Sequence, residues 1–209
     1  MQDLVLVRIF LQGGWIMWPI LATSIVALTV IAERVLWWRR EQSLRDPRKL
    51  DLILGALEKN QVREASTLAA SSQDSILRVI FFGLNHHHAS LEGALQVSAG
   101  IELERAGRFI VVLDTIVTLA PLLGLLGTVS GLMRAFFKLG DTELSQQAIG
   151  GGIAEALIAT ACGLTIAVVA LLFLNYFSAK LARLHFELQT ACTNVEVLLN
   201  TAKKGAPAA

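Results

Sequence analysis

Two stretches of this chain carry no charge over a length that crosses a bilayer. Ile116 to Met133 and Ala156 to Ala179 contain no Asp, Glu, Lys or Arg. A helix needs about 20 apolar residues to span the hydrocarbon core. No water is available there, so every backbone N–H and C=O must pair within the segment, and a lone span must be helical. A third stretch, Trp15 to Trp38, is apolar until Glu33 and Arg34. Trp15 and Trp18 mark one of its ends and Trp37 and Trp38 the other, as amphipathic rings do at membrane interfaces. Pro19 falls in the first turn, where a missing donor is tolerated. These segments predict an all-α membrane protein with three transmembrane helices.

The charges are segregated rather than absent: 17% of the 209 residues are charged and 54% are hydrophobic. With a formal net charge of +1, no nucleic-acid partner is expected. Cys162 lies in an apolar run and Cys192 in a segment that reads as cytosolic, so no disulfide is expected. The N-terminus has Asp3 and Arg8 but no basic cluster, and no small-residue cleavage site follows the first apolar run. The first span is therefore expected to stay as an anchor.

Lys and Arg set the orientation. Arg34, Arg39, Arg40, Arg45, Arg48 and Lys49 follow span one, and Lys180 and Arg183 follow span three. The N-terminal flank has Arg8, and the loop between spans two and three sets Asp141 and Glu143 against Lys138. The positive-inside rule then puts the N-terminus outside and the C-terminus in the cytoplasm. The expected segments are 1–38 (outer N-terminus and first span), 39–108 (cytoplasmic helical region) and 109–139 (second span). An outer loop at 140–151, the third span at 152–179 and a cytoplasmic helix and tail at 180–209 complete the chain.

Within 39–108 the pattern is helical. Leu50, Ile53, Leu54 and Leu57 share one face, as do Ile76, Leu77, Ile80, Phe81 and Leu84. Ser90 is a candidate N-cap with Glu92 in the first turn. From there one helix is expected to run without a break into span two. The stretch after span three keeps helical periodicity, so spans two and three should both extend as long helices into the cytoplasm. The terminal KKGAPAA is expected to be disordered.

Spans two and three form an antiparallel hairpin turning near Gly140–Gly150. With Leu144 as midpoint, Thr128 and Thr160 are equidistant from the turn and should lie at matched depth. The same arithmetic sets Arg134 opposite Ala154 and Glu155. Ala120, Gly124, Gly127 and Gly131 form a small-residue stripe on span two. Ala156, Thr160, Gly163, Ala167 and Ala170 form one on span three. Such stripes seat a neighbouring helix closely. Whether that neighbour is the other span or another copy of the chain stays open here.

Thr128 and Thr160 can be packing groups, each able to bond a carbonyl one turn back, or can line a polar route. Glu155 is either a functional membrane carboxylate or the partner of Arg134 in an ion pair. Glu155 and Thr160 are about 140° apart around a helix and need not face one space. No titratable group lies near the middle of any span, so a proton route would need its carboxylate from a partner helix. Consecutive helical residues point about 100° apart, so His86, His87 and His88 read as a polar loop rather than a metal site. No nucleophile–base constellation, phosphate loop or zinc spacing is present, and neither enzyme activity nor a cofactor is expected.

Taken together, GGWIMWPILATSIVALTVIAERV, APLLGLLGTVSGLMRAF and GGGIAEALIATACGLTIAV resemble the MotA/TolQ/ExbB proton-channel family, most closely its ExbB branch. The resemblance covers all three spans, their order and the large loop between spans one and two. One position departs: Ser130 stands where many relatives carry tryptophan. The resemblance implies a motor unit in the inner membrane of a Gram-negative bacterium, with its outer side facing the periplasm. It implies a homopentamer around an ExbD-like single-span protein whose membrane aspartate carries protons. Proton motive force would then be converted into work on a TonB-like protein for outer-membrane transport. It also implies pore-facing roles for Thr128 and Thr160 and an electrostatic or structural role for Glu155. A TolQ-like subunit for envelope integrity and a non-conducting scaffold for a partner helix are the alternatives.

Overall fold

The computed structural model describes residues 10–86, 90–137 and 146–205. All regular structure among them is helical: α1 Met17–Ser43, α2 Pro47–Glu58, α3 Val62–Ala70, α4 Ser75–Asn85, α5 Leu91–Gly107, α6 Ile110–Phe137 and α7 Gln146–Gly205. Three helical stretches are long and apolar enough to cross a membrane, as the sequence predicts. Several expectations lie outside the described residues: the flank with Asp3 and Arg8, the loop residues His87 and His88, and the hairpin turn with Lys138, Asp141, Glu143 and Leu144.

Two expectations about helix ends are corrected. The helix from Ser90 does not run unbroken into span two: α5 ends at Gly107 and α6 begins at Ile110. Arg108 has ψ 135° and Phe109 has φ 65°. The left-handed region costs a residue with a Cβ about 1–2 kcal/mol. Phe109 recovers part of this as a start site, since its carbonyl accepts from Val112 N at 3.1 Å. Its ring also lies under the Arg34 guanidinium, 5.7 Å from the centroid. Arg34 is 1% exposed and is held by Glu33 through two bonds of 2.5 and 2.6 Å. The second correction is at the C-terminus, where α7 continues through Gly205, so Lys203 and Lys204 are helical.

The chain divides into two compact units. One comprises the segment up to Arg34 with Phe109–Tyr176; the other comprises Val35–Arg108 with Phe177 onward. In the first, α1, α6 and α7 pack through small and branched side chains. Ala27, Ile116, Ala120, Ala167 and Ala170 form one buried cluster. Ile16, Met17, Ile20 and Ala159 form another. Only 22% of the apolar window of spans two and three is buried within the chain, so most of their aliphatic surface needs lipid or other protein around it.

In the second unit the helix starts are fixed by side-chain caps. The Asp46 carboxylate accepts from Lys49 N at 3.2 Å and begins α2. Asp74, buried, accepts from Ile76 N and from Asp46 N at 2.9 Å each, so one carboxylate ties the starts of α2 and α4 together. Ser90 caps α5 through Gly93 N at 3.1 Å, as expected. Ile53, Leu57, Ile76, Leu77, Ile80 and Leu84 are buried as their spacing predicts, while Phe81 is exposed. Arg78 bonds Glu102 at 2.7 Å, and Arg45 bonds Glu187 at 2.7 Å.

Candidate functional site

The site is built on the seam between α6 and α7. Helix backbones approach closely only where no side chain intervenes. A Cβ placed on Gly163 would stand 2.5 Å from the Ala120 carbonyl oxygen and 3.2 Å from Gly124 Cα. One on Gly124 would stand 3.0 Å from Thr160 Cα, and one on Gly131 would stand 2.9 Å from the Gly152 carbonyl oxygen and 3.1 Å from Ala156 Cβ. One on Gly127 would overlap Ala159 Cβ and reach Ile16 Cγ2 at 2.9 Å. Ala156 and Ala167 are buried on the same side of α7. Both stripes therefore meet within one chain. Leu122, Leu125 and Phe136 of α6 and Leu157, Val168 and Leu172 of α7 remain exposed.

The seam sets the surroundings of the two threonines. Thr160 lies against Gly124, while the contacts of Gly163 with Gly124, Gly127 with Ala159 and Gly131 with Ala156 align the helices within about one or two residues, roughly 2–3 Å, of the midpoint arithmetic. Thr160 Oγ1 donates to the Gly124 carbonyl at 2.9 Å, a bond across the seam. Thr128 Oγ1 donates to the Leu125 carbonyl of its own helix at 2.6 Å, three residues back. Both side chains are half-buried.

Arg134 and Glu155 are brought together as an ion pair between Arg134 Nη2 and Glu155 Oε1. Glu155 is the more enclosed, with its side chain 19% exposed against 45% for Arg134. Two further groups complete the cluster. Gly14, at φ 72°, lies against the Glu155 carboxylate, and a Cβ there would overlap it. Trp15 Nε1 donates to Ser130 Oγ at 3.0 Å, and Arg134 Nε donates to the Ser130 carbonyl at 3.4 Å. The segment before span one is thus fastened to α6 and α7 beside the ion pair. Glu155 and Thr160 serve different contacts, as their angular separation requires.

Sequence reasoning did not find Gly14, Trp15 and Ser130 as parts of one cluster. The Gly13–Gly14 pair ahead of Trp15 was a visible turn signal, but its partners lie more than a hundred residues away. His86 stacks on Phe82 with ring centroids 4.2 Å apart. No group of three or more His, Cys, Asp or Glu able to hold a metal ion is found among the described residues.

Comparison with known proteins follows the same spans. The model of the MotA/TolQ/ExbB proton channel family matches residues 59–190. The ExbB-like 3 protein of Synechocystis sp. is 33% identical over 199 residues, covering 90% of this chain and 92% of that protein. The ExbB-like 1 protein of the same organism is 38% identical over 170 residues, covering 78% of this chain and 66% of that protein. The Tol-Pal system protein TolQ of Haemophilus influenzae is 39% identical over 88 residues, 42% of this chain and 39% of that one. With three apolar spans, a glycine-seamed hairpin and a match over more than half its length, the chain belongs to the MotA/TolQ/ExbB proton channel family.

Proposed function

We propose that this chain is the ring-forming subunit of a proton-channel motor in the bacterial inner membrane, with its N-terminus periplasmic and its C-terminus cytoplasmic. Thr128 and Thr160 line the proton path, and the Glu155–Arg134 pair sets the charge at one end of the hairpin. Gly124, Gly127, Gly131, Ala156, Gly163 and Ala167 hold the two pore helices in register. The carrier is a membrane aspartate on an ExbD-like single-span partner, enclosed by a homopentamer of this chain. The output is work on a TonB-like protein for outer-membrane transport.

One observation supports this reading above the others. The two helices place hydroxyls along a tightly packed seam but carry no carboxylate, histidine, lysine or arginine in their charge-free runs. A wall of this kind can hydrogen-bond to a passing proton carrier but cannot store the proton itself. The large exposed aliphatic surface of both helices supports assembly with other copies.

The test is proton flux into liposomes loaded with a pH-sensitive dye, with the chain reconstituted alone and with its single-span partner. Flux should require both. Thr160→Val and Thr128→Val should each abolish it with the ring intact by native mass spectrometry. Normal flux in both variants would remove the threonines from the path. Absence of flux in the wild-type complex would favour the scaffold. The TolQ similarity favours a second reading, service to envelope integrity. Complementation of a strain lacking that function, without rescue of TonB-dependent uptake, would select it.

A further inference from the structure

The apolar run of α6 has a charge at each end, and the two ends differ. Arg134, at the hairpin end, is paired with Glu155. Asp114 precedes the run at the other end, about 30 Å away along the axis, which is close to the thickness of the hydrocarbon core. Its side chain is exposed and makes no hydrogen bond or ion pair among the described residues. The charges on the neighbouring α1 are Glu33 and Arg34, which bond each other, and Arg34 lies over the Phe109 ring. Phe109 is about 7.5 Å from Asp114 along the chain axis. On α7 no Asp, Glu, Lys or Arg occurs between Ala156 and Ala179. An aspartate stem is also too short to carry its charge to the interface as Lys and Arg do. The carboxylate must therefore be met by something outside its own chain.

The face around Asp114 narrows what that is. Thr118, Pro121, Leu125 and Thr128 all fall within about 40° of Asp114 around the helix. The buried residues Ala120, Gly124, Gly127 and Gly131 are centred about 110° to one side, so the seam leaves this stripe uncovered. Thr118 Oγ1 donates to the Thr115 carbonyl at 2.9 Å, so what it offers outward is an acceptor. Pro121 stands inside the helix and has no N–H, so the Val117 carbonyl loses its usual donor on the same stripe. A carbonyl freed at membrane depth is tolerated where protein or a water-filled cavity satisfies it. Carboxylate, carbonyl and hydroxyl are then all acceptors along one line. That suits water carrying an excess proton and offers an anion nothing.

We propose that this stripe is the wetted inner wall of the proton path and that Asp114 is the proton acceptor at its cytoplasmic mouth. The inference rests on the channel reading and its orientation. A proton released by the partner's aspartate near Thr128 passes through hydrogen-bonded water along Thr118 to an Asp114 carboxylate oxygen. Asp114 then gives that proton to cytoplasmic water and is ionised again, so the chain ends each passage with the charge it began with. Thr118 lies about 6 Å and Thr128 about 21 Å from Asp114 along the axis, so bridging water and not direct contact carries the proton.

The experiment has two arms, both on the full chain with its single-span partner. The first measures water at the stripe, in a Cys162→Ala, Cys192→Ala background, with inverted membrane vesicles and a water-soluble cationic thiosulfonate. Asp114→Cys and Thr118→Cys should react about tenfold faster than Leu119→Cys, because a wetted thiol ionises and a dry one does not. Leu119 is the control because it is also exposed in the chain but points about 140° away from Asp114. Equal rates at all three positions would overturn the wetted stripe. The second arm is proton flux into liposomes in sodium-free buffer. Asp114→Asn should lower flux by about a hundredfold, the low end of what a positioned proton-transfer group contributes. Asp114→Glu should restore most of it, and native mass spectrometry should show the ring intact in both variants. Wild-type flux in Asp114→Asn would overturn the acceptor role and leave the channel reading standing. Absence of flux in the wild-type complex would remove both.

Discussion

Gly163 lies against the backbone of α6, and Gly163→Ala tests the seam directly. The added methyl would stand 2.5 Å from the Ala120 carbonyl oxygen, where ordinary contact begins at 3.4 Å. Both neighbours are backbone, so no side chain can swing aside. The helices must separate by about 0.9 Å if the motion is along the line of contact. Such separation would carry the Thr160–Gly124 bond from 2.9 Å to beyond hydrogen-bonding range. Overpacking of this kind costs about 1–3 kcal/mol, and an interhelical hydroxyl bond in a membrane contributes about 0.6 kcal/mol. A loss of about 2–4 kcal/mol is expected. The assay is reversible unfolding in mixed micelles with increasing dodecyl sulfate. Gly151→Ala is the control, because nothing lies within 4 Å of a Cβ there. It should be neutral or mildly stabilising. Equal unfolding midpoints for Gly163→Ala and wild type would refute the close-contact register.

Three further outcomes are expected. In a double-mutant cycle on Arg134→Gln and Glu155→Gln, the coupling should be about 1 kcal/mol, because Arg134 is half exposed and screened; a cycle that closes to zero would deny the pair any energetic role. Phe109→Gly should be less destabilising than Phe109→Ala, reversing the usual preference, because glycine alone relieves the positive φ while both lose the Arg34 contact; thermal denaturation of the two variants decides the order. Burial pushes the Cys192 thiol up, and Glu196 adds to the shift. At any pH the folded chain then holds less thiolate than the unfolded chain. In a Cys162→Ala background, alkylation at neutral pH should be slower than in denaturant, and stability should fall as pH rises through the ordinary thiol range near about 8.5. Equal alkylation rates in folded and denatured samples would contradict this.

The sequence revealed the spans because charge-free length is a one-dimensional property. It revealed the Ser90 cap for a similar reason: hydroxyl, first-turn acid and apolar run lie within a few residues. The small-residue stripes were equally legible, and counting back from Leu144 comes within about one residue of the pairing of Gly163 with Gly124 and of Gly131 with Ala156. The bond from Thr160 across the seam to the Gly124 carbonyl was not legible, because no local signal says which carbonyl faces that hydroxyl. The break at Phe109 was hidden for another reason. Neither proline nor glycine stands at 108 or 109, and the compensating partner, Arg34, belongs to a helix 75 residues earlier. Gly14 could be read as a turn residue, but not as the seat of Glu155.

The direction of the two threonine hydrogen bonds has a consequence of its own. Each hydroxyl proton is already committed to a main-chain carbonyl, Thr160 to Gly124 and Thr128 to Leu125. What each side chain can offer a third group is a lone pair. A neutral carboxylic acid brings the hydrogen that a lone pair needs; a carboxylate does not. Along the path proposed above, two such hydroxyls would favour the protonated form of a passing acid over the ionised form, and so would sort one state from the other without changing their own.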